Sequence, residues 1–122
     1  MQDFRKLHVW SKAHQLTIDV YKAFGQKTPP LYFSLRNQLT RAVASVPANL
    51  AEGCGHSTDR EFRRYVRIAL GSASESEYHF LLARDLGLLP EAAYEKLALS
   101  IVEIKRMLSG LAASLGDKDA ES

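Results

Sequence analysis

The sequence predicts an all-α fold, an up-down antiparallel four-helix bundle whose second helix is kinked by a proline. Three observations carry that reading. Apolar residues recur at steps of three and four in four separate segments. Gly, Pro and a Thr-x-x-Glu signal punctuate the boundaries between them. No stretch alternates apolar and polar residues strongly enough to compete as a strand. Short connectors favour antiparallel neighbours. An elongated pair of helical hairpins completed by a second chain is the alternative.

The first helix is expected from about Phe4 to Phe24. Val9, Ala13, Leu16, Val20 and Phe24 share one face, flanked by Trp10, Thr17 and Tyr21. Gly25 fits a C-terminal cap, and the prolines of Gln26–Pro30 make a rigid connector because they cannot continue a helix. In the second helix, expected to end near Glu52, Leu35, Leu39, Ala42, Val43, Val46 and Leu50 form the apolar stripe. Beside it runs a polar row of Gln38, Arg41, Ser45, Asn49 and Glu52. Pro47 interrupts both. Inside a helix it removes one hydrogen bond and crowds the carbonyl four residues back, a cost of about 3 kcal/mol. A kink or break is therefore expected over Val43–Pro47, followed by a loop at Gly53–His56.

Thr58 and Glu61 have the spacing of a capping box that starts the third helix. Its stripe is Phe62, Val66, Ala69, Ala73, Ser76, Phe80 and Ala83, and Gly87 ends it. Ala69 to Ser76 is almost all small, with Gly71 in its midst. A mid-helix glycine weakens an isolated helix by about 1 kcal/mol, so a neighbouring backbone is expected to pack close there. Pro90 suits the first turn of a fourth helix. That helix carries Tyr94, Leu97, Ile101, Ile104, Leu108, Leu111 and Leu115 and runs to Gly116. Residues 1–116 are thus one domain, and 117–122 a frayed charged tail.

A chain of 122 residues buries about two-thirds of its unfolded surface, enough for a core. No apolar run approaches the ~20 residues of a membrane span, and the N-terminus lacks a signal-peptide core. The lone cysteine, Cys54, excludes an internal disulfide, and a cytoplasmic setting is expected. Charge is unevenly spread: residues 1–70 hold 11 basic and 5 acidic groups, residues 71–122 hold 5 and 9. Such asymmetry points either to a basic working surface or to two halves that neutralise each other.

Enzyme chemistry is not expected, nor a cofactor, a metal or a small-molecule substrate. The Glu-x-x-His spacing of a di-iron bundle is absent, since His79 lies four residues from Glu75 and two from Glu77. Cys54 and His56 have no second pair to complete a tetrahedral metal site, and the histidines read as loop and surface residues. Cys54 beside His56 is the one conceivable nucleophile. No strand or lysine accompanies Gly53-Cys54-Gly55 to make a phosphate loop. Two polar sets remain. Arg60, Arg63, Arg64 and Arg67, with Arg5, Lys6 and Lys12 near the start, are candidates for nucleic-acid phosphates; a solvated face is the alternative. Arg41, Ser45, Asn49 and Glu52 could mate with Ser72 and Glu75 as a packing or assembly network, or stay exposed.

Three motifs carry a family resemblance. They are D-F-x-x-L-x-V-W-x-K-A from Asp3 to Ala13, R-A-x-x-S-V-P-x-N-L-A-E-G from Arg41 to Gly53, and I-A-x-G-S-x-x-E from Ile68 to Glu75. Together they resemble the four-helix-bundle proteins encoded in intervening sequences of bacterial 23S rRNA genes. The resemblance implies a four-helix bundle assembled as a ring-like homopentamer. Related accessory proteins of diversity-generating retroelements bind nucleic acid and a reverse transcriptase. This sequence departs from the pattern at Thr40, where a second arginine is usual, at Ser34, where glycine is usual, and in the connector Thr28–Leu31. The expectation is an oligomer, a pentamer by the resemblance, that contacts RNA or DNA; a protein-binding scaffold is the competing expectation.

Overall fold

The computed structural model describes residues 2–25 and 27–116. The tail 117–122 and Gln26 of the connector lie outside the described residues. Among those described, four long helices follow two short 3₁₀ turns: α1 (His8–Ala23), α2 (Phe33–Cys54), α3 (Asp59–Asp85) and α4 (Glu91–Ser114), with turns at Phe4–Lys6 and Pro30–Tyr32. No strand is present among them. The bundle is up-down and antiparallel. Ser45 meets Ser72 while Glu52 meets Tyr65. Glu77 meets Lys105 while Arg63 meets Leu115. On each seam one number rises as the other falls. α1 packs on α2 and α4, α3 packs on α2 and α4, and α1 and α3 are diagonal.

The expected stripes form the core. Val9, Ala13, Leu16, Val20 and Phe24 are buried on α1, and Leu39, Ala42, Val43, Val46 and Leu50 on α2. All seven stripe residues of α3 are buried, as are Leu97, Ile101, Ile104 and Leu108 of α4. Leu35, Tyr94, Leu111 and Leu115 are half-buried at the edge. Burying each large aliphatic side chain contributes about 1.5–3 kcal/mol, which is why periodicity decides the fold.

Several boundaries differ from expectation, each for a local reason. The first helix does not begin at Phe4. Asp3 accepts a hydrogen bond from the Arg5 N–H and closes a short turn, and Leu7 is extended before α1 starts. Gly25 is not a left-handed cap: the positive-φ residues among those described are Gly87 and Gly116. Instead the buried Thr28 hydroxyl donates to the Phe24 carbonyl. Gly53 and Cys54 belong to α2 rather than to a loop, and the Gln2 N–H satisfies the Cys54 carbonyl. At the end of α3, Gly87 has φ +78°, and the Leu88 and Gly87 amides donate to the Ala83 and Arg84 carbonyls. That is a Schellman closure, which glycine permits without a Cβ penalty. Pro90 caps α4 one residue before its first turn.

The second helix carries its proline kink without breaking. Pro47 is buried inside α2, so the Val43 carbonyl has lost its partner along the helix. The Thr17 hydroxyl of α1 lies 3.3 Å from that carbonyl while bonding the Ala13 carbonyl at 2.8 Å. One hydroxyl thus offers a shared donor where the helix provides none.

Of the two helical glycines Gly53 and Gly71, it is Gly53 that meets a close neighbour. A Cβ at Gly53 would lie 2.7 Å from the Tyr65 Cβ and 3.0 Å from a Phe62 ring carbon. Gly71 is exposed with open space around it; Ala69, Ala73 and Ser76, on the other side of α3, supply the small contact surface. Gly53→Ala is therefore expected to lower stability by about 1–3 kcal/mol through overpacking. Gly71→Ala should raise it by up to about 1 kcal/mol, because only helix propensity changes. Urea unfolding of the two variants checks both signs.

Candidate nucleic-acid interface

The N-terminus of α3 is fixed by Thr58, whose hydroxyl accepts from the Glu61 N–H at 3.2 Å. That cap fixes where the helix starts, and the burial of Phe62, Val66 and Ala69 turns the four arginines away from the core. Arg60, Arg63, Arg64 and Arg67 line one open groove of about 610 Å³, shared with Glu61 and the half-exposed Ile68. They are not equivalent. Arg63 Nη1 donates to the Leu115 carbonyl at 2.6 Å, which ties it to the C-terminal end of α4. This is a structural contact that sequence spacing could not reveal, since the two residues are 52 apart. Arg64 lies 3.9 Å from Glu61 and 5.2 Å over the Tyr65 ring. Both are solvent-exposed contacts, worth little individually.

The other basic candidates do not extend this groove continuously. The turn holding Arg5 and Lys6 packs on α1 and α2, at the same end of the bundle as the start of α3. Arg5 is 3.5 Å from Asp3 and 4.6 Å over the Phe4 ring. Lys12 is ion-paired with Glu103 of α4 at 3.0 Å, on the diagonal side of the molecule.

The polar row of α2 divides. Ser45 and Ser72 share a hydrogen bond at 2.8 Å, and the Asn49 amide donates to the Ser45 hydroxyl and carbonyl at 2.9 and 2.8 Å. The Tyr65 hydroxyl donates to Glu52 at 3.4 Å. The half-buried Ser45–Ser72 bond and the exposed Tyr65–Glu52 bond join α2 to α3, while the Asn49 amide braces Ser45 within α2. Arg41 behaves differently. It is exposed, and among the described residues it has no hydrogen-bond or ion-pair partner, although it lines a groove with Gln38, Ser45, Ser72 and Glu75. Glu75 faces His79 instead, 3.6 Å from its Nε2. His79 corrects the expectation of loop and surface histidines: it is buried, and neither ring nitrogen has a hydrogen-bond partner.

The family described as 23S rRNA-intervening sequence protein matches residues 5–110. The chain belongs to that family. A similar solved structure is the 1.70 Å crystal structure of a protein of unknown function from the S23 ribosomal protein family of Bacteroides thetaiotaomicron. It is 25% identical, covers 85% of this chain and 97% of its own, and has a TM-score of 0.76. No curated protein matches. In this member of the family, no described helix is long and apolar enough to cross a membrane. Among its described residues no three His, Cys, Asp or Glu side chains gather where they could hold a metal ion.

The thiol of this intervening-sequence protein sits in an unfavourable place for nucleophilic chemistry. Cys54 is buried at the end of α2, and burial pushes its pKa above the ordinary thiol value, with the negative charge of Asp3 adding to the rise. Less thiolate is therefore present at neutral pH than in an exposed cysteine. His56 stacks on Tyr65, with ring centroids 5.0 Å apart. Alkylation of the folded protein should be slow at pH 7 and accelerate only above the usual thiol range. A fast, pH-independent reaction near neutrality would contradict this.

Proposed function

We propose that this protein is a non-enzymatic, cytoplasmic, oligomeric helical bundle that binds RNA or DNA with little sequence preference through the basic face of α3. The observation that carries the reading is the convergence of Arg60, Arg63, Arg64 and Arg67 on one open groove. Cations spread along a helix contact phosphates, and phosphates carry no sequence information. We assign the phosphate contacts to Arg60, Arg64 and Arg67, and to Arg63 its structural tie to the end of α4. Arg5 and Lys6 extend the positive charge at that end of the bundle.

Assembly is the second component. Arg41 without a partner, the exposed Glu75 and the unsatisfied His79 lie along the same α2–α3 face. A second copy that brings a carboxylate to Arg41 would complete what one chain leaves open, and a homopentamer is the state that the family resemblance implies. A ring would repeat the basic groove and multiply weak contacts through avidity. A scaffold reading is favoured by a different feature. Tyr21, Leu31, Phe33 and Leu86 are exposed at the bundle end away from the arginines, where a protein partner could dock.

Fluorescence anisotropy with short RNA and DNA over a salt series tests the first component. Three cations at the phosphates predict a log–log salt slope near −2 for single strands, from roughly −0.7 per contact. Arg64→Glu with Arg67→Glu should abolish binding at physiological salt. No binding at low salt, or binding untouched by the pair, contradicts the proposal. Light scattering after gel filtration tests assembly. It should give a multiple of 13.6 kDa that shrinks in Arg41→Glu; a 13.6 kDa species at micromolar concentration contradicts it.

A further inference from the structure

We propose that the α3 groove prefers single strands, because the His56–Tyr65 pair at its edge receives an unstacked base. This rests on the nucleic-acid reading above and goes beyond it by naming the form of nucleic acid. Phosphate contacts alone need only the arginines. The groove is bordered by groups that phosphates do not need. The His56 and Tyr65 rings are stacked at 5.0 Å with only 22° between their planes. The Arg64 guanidinium lies 5.2 Å from the Tyr65 ring and also lines the groove, so it joins the aromatic pair to the cations. Ile68, one turn further along α3, is 41% exposed among the arginines.

The pair is held in place rather than loose. The Tyr65 Cβ sits against Gly53, its hydroxyl donates to Glu52, and His56 lies in the four-residue connector between α2 and α3. Aromatic rings beside a guanidinium accept the face of a base, and cation–π contact strengthens the stack. A duplex hides those faces between neighbouring base pairs, whereas a single strand can present them. Glu61 and Glu52 border the site and oppose the phosphates, so the base contact adds affinity that charge alone does not give.

Anisotropy competition at low salt tests this with the full chain and three probes: a 12-nucleotide oligo-dT, an abasic strand of equal phosphate number, and a 12-base-pair duplex. The oligo-dT should bind about tenfold more tightly than the abasic strand, and more tightly than the duplex, in the range of one or two stacked bases. His56→Ala, a connector substitution, should shrink the oligo-dT advantage to about twofold while leaving the salt slope unchanged. Equal binding of oligo-dT and abasic strand, or tighter duplex binding, overturns the inference and leaves the phosphate reading standing. Absence of binding by all three probes overturns both.

Discussion

Between α2 and α3 the two backbones approach until residue 53 has no room for a Cβ, and every other relation in the molecule is measured from that seam. Gly53 lies against Tyr65, Glu52 bonds Tyr65, and Ser45 bonds Ser72 two turns away. Those contacts fix the register of α3 along α2, and α2–α3 is the most extensive of the helix interfaces. Register in turn decides where the arginines of α3 point. It also brings His56 onto Tyr65 and sets Arg41 and Glu75 along one groove. Polar side chains in such a seam are tolerable because they are bonded to one another; an unbonded hydroxyl or amide there would cost about 1–3 kcal/mol.

The same helix solves a second problem with its neighbour on the other side. Pro47 leaves the Val43 carbonyl without its ordinary donor, and Thr17 of α1 stands where it can offer one. A helix-breaking residue is thereby made a point of attachment between α1 and α2. His79 is the opposite case. It is buried, and among the described residues neither ring nitrogen has a hydrogen-bond partner, although Glu75 lies 3.6 Å from Nε2. His79 and Arg41 both lie along the α2–α3 face proposed to meet a second copy.

The core was legible in the sequence because the spacing of apolar residues and their burial have one cause. Leu16, Val46, Ala73 and Ile104 follow directly from three-four periodicity, and Thr58 and Gly87 mark the ends of α3 by chemistry local to the chain. What was not legible depends on partners distant in sequence. Gly53 reads as the start of a loop until Tyr65 is placed against it. Gly71 reads as a close approach only when the small run is taken whole; the three-four spacing that puts Ala69, Ala73 and Ser76 on the core stripe turns Gly71 away from it. Leu7, by contrast, interrupts the first helix locally: it is extended behind the short turn that the Asp3 side chain caps. Arg63 reads as one more surface cation, yet it is tied to a carbonyl 52 residues away. Candidate site residues could be named from their type and spacing, but their separation into groove-lining, ion-paired and structural groups required the fold.

If the α2–α3 seam is what the other elements depend on, the most direct measurement is native-state hydrogen exchange over a denaturant series. Amides of Val46–Leu50 and Ala69–Ala73 should exchange only with global unfolding, while α1 exchanges through a lower-energy opening that detaches it from α2 and α4. Seam amides that exchange before those of α1, or a molecule in which α1 is the last to open, would contradict the account.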